Sequence, residues 1–196
     1  MLLNMSLNKI LDKQLFRNYN ELYNLILCCY KDISILKAYE ELQKKKNDMY
    51  NMALHVSDHF IVLVQKDLAL TLYKIYYDTN PNANTVPRFR NDINKLLRDN
   101  NCECKQVKQK KIKINKNVEN TLKVLRRQFL AHVDMYRNGS KIDIHELNVL
   151  LDVICKDFNQ VCDVIDDDNF FSISDINISH QDMNYYPELL LLYEQK

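Results

Sequence analysis

A single glycine, Gly139, and only three prolines in 196 residues constrain this chain more than any other feature. Tight β-hairpins turn on residues that accept positive φ, glycine foremost, so a multi-stranded antiparallel fold has almost nothing to turn with. Long helices joined by polar loops need neither residue in their interiors. The expected fold class is therefore all-α. The length suits one compact domain able to bury most of its apolar surface, and a composition 46% hydrophobic and 27% charged is that of an ordinary globular chain.

Apolar periodicity fills in the elements. Leu7, Ile10, Leu11, Leu15, Leu22, Leu25 and Ile26 recur at helical spacing and predict a helix ending near Tyr30, with Asp32 as the cap of a second helix through "ISILKAYEELQKKKNDMY". The most hydrophobic stretch, "NMALHVSDHFIVLVQKDLALTLYKIYYD", predicts a core helix over 51–78, and "TNPNANTVP" stops it. Thr85 and Pro87 suit the start of a shorter helix whose apolar face is Phe89, Ile93, Leu96 and Leu97. A basic connection follows, then a helix over about 118–136 and a last long helix to about Ile165, opened by Asp143 and Glu146 in a capping-box pattern. "DDDNFFSISDINISHQDMN" reads as irregular and "YPELLLLYEQ" as a short apolar helix. The expected organisation is N-terminal helices over 1–49, a helical core over 50–166 and an acidic tail over 167–196, all within one domain.

The formal charge of +1 conceals a strong asymmetry. Lys95 to Lys141 holds 13 basic residues against four acids, whereas Asp163 to Lys196 holds eight acids and one lysine. Six lysines (Lys105, Lys108, Lys110, Lys111, Lys113 and Lys116) fall in one acid-free run. Such a run can grip an anionic polymer, RNA included, through its backbone phosphates, or can simply be a solvated loop. "MLLNMSLNKILDKQ" turns polar before a secretory apolar core develops, and no run approaches the ~20 apolar residues of a membrane span. The six cysteines have no zinc-site spacing. The expectation is a cytoplasmic chain with reduced thiols, no membrane contact, no metal and no cofactor.

Chemistry concentrates in "LRRQFLAHVD", Leu125 to Asp134. On a helical wheel Val118, Leu122, Leu125, Phe129, Val133 and Tyr136 form an apolar stripe about 80° wide. His132 lies about 57° to one side of it and Arg126 about 63° to the other, while Arg127 and Asp134 point away. Arg126 and His132 are also about 9 Å apart along the axis, so one helix cannot easily aim both at one atom. Two copies related by a two-fold axis can, with the His of one approaching the Arg of the other.

The pattern Arg126-x5-His132, or in the other register Arg127-x4-His132, resembles the Arg-x(4–6)-His signature of the HEPN superfamily. "RRQFLAHVD", with "DLALTLYKIYYD" and "NDINKLL" upstream, is similar to the AbiU-type abortive-infection branch over roughly residues 50 to 166. The resemblance implies a bundle of about five or six helices, dimeric about a two-fold axis, that acts as a metal-independent endoribonuclease in a defence or toxin–antitoxin system. It implies RNA as substrate and an antitoxin protein as a possible partner. Carried onto this sequence, His132 is the general acid or base and Arg126 the phosphate ligand. Imidazole titrates near neutrality and can move the ribose 2′-OH proton, while guanidinium stabilises charge developing on phosphate. The residue after the matching arginine is usually small and polar in that branch; here it is Arg127, which keeps the second register open. The tyrosine that another HEPN subgroup carries two residues after the histidine is Asp134 here, so its modification does not transfer. Many HEPN proteins are non-catalytic, and the alternative is a helical module that binds a protein partner.

Other groups point less sharply. His55 and His59 share a helix face but lack the glutamate and third ligand of a zinc protease site. Tyr76–Tyr77 and Tyr185–Tyr186 can stack on bases or serve as packing groups. Asp166, Asp167 and Asp168 read as a polar helix end.

Overall fold

The computed structural model describes residues 13–45, 51–100, 107, 116, 119–120, 122–124, 143–165 and 173, without the side chains of 41–45 and 51–59. The described residues are overwhelmingly helical and include no strand, so the chain is all-α. Four helices have defined bounds: α1 Lys13–Lys45, α2 Asn51–Tyr76, α3 Val86–Asp99 and α4 Ile144–Ile165. Residues 116, 119–120 and 122–124 are also helical. No helix among the described residues is long and apolar enough to cross a membrane.

The break expected near Asp32 is absent. α1 runs unbroken for 33 residues, because its buried stripe does not change phase there: Leu22, Ile26, Cys29, Ile33 and Leu36 are all buried in one continuous series. Asp32 therefore caps nothing. Ser34, another residue that competes with helical hydrogen bonding, satisfies its hydroxyl by donating to the Tyr30 carbonyl at 3.0 Å.

The later helix starts follow the sequence. Thr85 caps α3, its Oγ1 accepting from the Arg88 amide at 3.3 Å with Pro87 in the first turn. Arg88 closes the preceding turn by donating to the carbonyls of Pro81 and Ala83. Asp143 caps α4 by accepting from the His145 amide at 2.8 Å.

α1 and α2 form an antiparallel hairpin, pinned by Lys74 to Glu21 at 3.1 Å and by Asn84 to the Asn18 carbonyl at 2.8 Å. α4 lies antiparallel on the other flank of α1, where Lys37 donates to Asn148 at 3.1 Å and Tyr30 reaches Asp152 at 3.4 Å. α3 closes the bundle against α1 and α4. Phe158 of α4 stacks between Tyr19 of α1 and Phe89 of α3, with ring centroids at 5.7 and 6.1 Å. Beyond α3, Asn94 exchanges two hydrogen bonds with the backbone of Val107, at 2.8 and 3.0 Å. Asn159 of α4 accepts from the Ile173 amide at 2.8 Å.

The described cysteines are free thiols: Cys28 is exposed, whereas Cys29, Cys155 and Cys162 are buried. Burial pushes all three buried thiols up in pKa, so little reactive thiolate forms near neutral pH. Brief alkylation of the native protein with iodoacetamide is expected to modify Cys28 and spare Cys29, Cys155 and Cys162 until denaturant is added. Peptide mass mapping checks this, and equal native labelling of the four would contradict the packing.

Candidate functional site

Arg126, Arg127 and His132 lie outside the described residues, as do Lys105, Lys108, Lys110, Lys111 and Lys113. Lys116 is described: it is exposed and helical. The side chains of His55 and His59 and residues 166–168 also lie outside the described set. The structure describes the entry to the decamer, residues 119–120 and 122–124, and its surroundings.

At that entry the wheel is consistent with what is seen. Leu122, in the apolar stripe, is 1% exposed. Val124, on the far side of the wheel, is 46% exposed, and Asn120 is exposed as well. Lys123 pairs with Glu119 one turn back along the same side.

The tyrosine-rich end of α2 lies beside this entry. Tyr76 and Tyr77 meet edge to face at 5.2 Å, and Tyr77 also contacts Tyr73 at 6.1 Å, so these rings serve as packing groups. The Tyr77 hydroxyl is buried with no hydrogen-bond partner among the described residues. Burial first, then the charge of Glu119, push its pKa up, which keeps it a neutral donor.

Next to Tyr76 is a feature the sequence reading missed. Arg90 of α3 and Asp157 of α4 form a buried ion pair, with Nη1 donating to both carboxylate oxygens at 2.6 Å. The two residues are only 3% and 2% exposed. Tyr76 is pushed up by its own burial and then by Asp157, while Arg90 opposes. A signal was available. Arg90 sits between Phe89 and Ile93 on the buried stripe of α3, and Asp157 between Ile154 and Phe158 on that of α4. Opposite charges inside two apolar stripes imply each other, because neither can be buried alone.

A cleft of about 370 Å³ opens between α1 and α3, lined by Gln14, Asn18, Asp92, Lys95, Asp99 and Asn100 over Leu15 and Leu96. It is separate from the tyrosine cluster and contains no nucleophile–base pair. Among the described residues no three His, Cys, Asp or Glu side chains are placed to share a metal ion.

Across the α1–α2 hairpin, Glu21 and Asp32 take opposite shifts. Burial alone would raise Glu21, but hydrogen bonds from Lys74 and Asn84 and the charges of Lys74 and Arg17 hold it below its usual range. Asp32 has no such help: burial, and then the charge of Asp67, push it up to about 6. Its folded pKa thus exceeds its unfolded one, so the native state binds more protons between about pH 4 and pH 6. Stability from this group is present below about pH 4 and is lost as pH rises towards 6. Asp32→Asn is expected to stabilise the protein at pH 7 by about 1 kcal/mol, after allowance for solvent screening, and to have little effect at pH 4. Urea unfolding at the two pH values measures it; an equal effect at both would refute the assignment.

The geometry defines a helical bundle with a buried ion pair between α3 and α4. No protein-family model, curated protein or solved structure matches the chain.

Proposed function

We propose that the chain is an HEPN-type, metal-independent endoribonuclease of a defence or toxin–antitoxin system, acting as a homodimer with Arg126 and His132 of both copies lining one crevice. The observation that supports this reading best is the exposure pattern at the entry of the decamer helix: Leu122 buried, Val124 and Asn120 outside. If that phase continues, Arg126 and His132 flank a buried seam instead of lying within it, as a shared crevice requires. His132 then moves the 2′-OH proton or protonates the leaving oxygen, and Arg126 holds the phosphate, with Arg127 in that role in the other register. Lysines between Lys105 and Lys116 grip the RNA backbone with weak sequence preference and strong salt dependence.

The test is incubation of the purified protein with a structured RNA in EDTA. Wild type is expected to cleave, and His132→Ala to lose at least about 100-fold in rate with an unchanged circular dichroism spectrum. Comparing Arg126→Ala with Arg127→Ala decides the register. No cleavage of several RNAs by the wild-type protein would overturn the enzyme reading in favour of a non-catalytic module that binds a protein partner.

A further inference from the structure

The groove along α1 and α2 carries an unbalanced row of charges that ends in exposed apolar side chains. At 100° per residue, Glu21, Cys28 and Asp32 fall within about 40° of one another around α1. Leu63, Lys74, Asp67 and Phe60 fall within about 60° of one another around α2. The ion pair between Lys74 and Glu21, at 3.1 Å, shows that these two flanks face each other. Continuing the antiparallel register one rung sets Asp67 opposite Cys28, with Asp32 one turn further along α1.

That rung brings two carboxylates together. The ion pairs among the described residues join Lys74 to Glu21, Arg90 to Asp157 and Lys123 to Glu119, and none reaches Asp32 or Asp67. Lys31 and Lys66 are adjacent in sequence, but each is turned about 100° around its helix from its neighbouring acid. One and two turns before Asp67, Leu63 is 48% exposed and Phe60 52% exposed. Large apolar side chains outside, spaced as i and i+3 on one helix, form the kind of stripe that an added helix covers. Acids beside it select the sign of that helix.

We propose that the α1–α2 groove at Phe60, Leu63, Asp32 and Asp67 is a docking surface for a cationic amphipathic helix of a protein partner. The partner's apolar face covers Phe60 and Leu63, and a lysine or arginine about one turn away enters between Asp32 and Asp67. That cation relieves the repulsion between the two carboxylates; the proton affinity of Asp32 is raised first by burial and then by the charge of Asp67. The surface lies on the α1–α2 hairpin and is independent of whether the protein cleaves RNA.

The experiment uses the full chain and two synthetic probes, a helical Leu/Lys peptide and its Leu/Glu counterpart, with binding read by fluorescence anisotropy. The wild-type protein is expected to bind the Leu/Lys peptide and not the Leu/Glu peptide. Asp32→Asn with Asp67→Asn, and separately Phe60→Ser with Leu63→Ser, should each weaken binding at least about tenfold. All four positions are at least partly exposed, so the variants should fold, and circular dichroism verifies it. The proposal is overturned if the wild-type protein binds neither peptide, if both peptides bind equally, or if either double variant binds as wild type does. It is also overturned if the wild-type protein self-associates in sedimentation equilibrium and Phe60→Ser with Leu63→Ser abolishes that association, since a second copy is then the occupant.

Discussion

Asp157→Ala is expected to destabilise the protein by about 3–5 kcal/mol, enough to unfold a large fraction of a marginally stable domain. The loss comes mainly from Arg90. Its guanidinium donates to both oxygens of Asp157 at 2.6 Å and is almost fully removed from water, so removal of the carboxylate strands a buried cation. Arg90→Met tests the converse: with its partner gone, the Asp157 carboxylate is buried without a counter-charge, and a loss of similar size is expected. The double variant Arg90→Met with Asp157→Leu should recover most of the stability, because a well-packed apolar pair can replace a buried ion pair. Urea denaturation of the three variants measures this cycle. If Asp157→Ala costs less than about 1 kcal/mol, the pair is not the buried bridge described above.

A loss of comparable size is expected on the aromatic side of the same interface. Phe158 is fully buried and stacked between Tyr19 and Phe89. Phe158→Ala removes the ring that joins α1, α3 and α4, and should cost about 3–5 kcal/mol through lost burial and the cavity left behind. Phe158→Leu keeps much of the volume and should recover over half of that loss. Thermal unfolding followed by near-ultraviolet circular dichroism distinguishes the variants. Equal melting temperatures for Phe158→Ala and wild type would show that α4 does not depend on this contact. Asp157 and Phe158 are adjacent and share neighbours, so their effects are expected to be non-additive.

The all-α class, the start of α3 at Thr85 and Pro87, and the Asp143 start of α4 were legible because each rests on local chemistry. Glycine scarcity, a hydroxyl or carboxylate at the cap, and proline in the first turn act within a few residues. The break expected at Asp32 failed for an equally local reason. An aspartate can cap a helix, but a cap marks a start only where the apolar stripe changes phase, and Ile26, Cys29, Ile33 and Leu36 keep one phase through that point. Arg90 and Asp157 escaped notice because the meaning of each depends on a residue far away in sequence. The Arg–His decamer lies outside the described residues; just before it the burial of Leu122 agrees with the wheel, and the chemistry of Arg126 and His132 is a proposal for experiment.

The uninterrupted α1 has a mechanical consequence. At 1.5 Å per residue its 33 residues span about 50 Å. α2 holds it at Glu21, α4 at Tyr30 and Lys37, and the loop before α3 at Asn18. A rod fastened at so many levels cannot flex locally without breaking its own ladder or several of those fastenings. A displacement of the rod between Asn18 and Lys37 therefore acts on α2, α4 and the loop before α3 together.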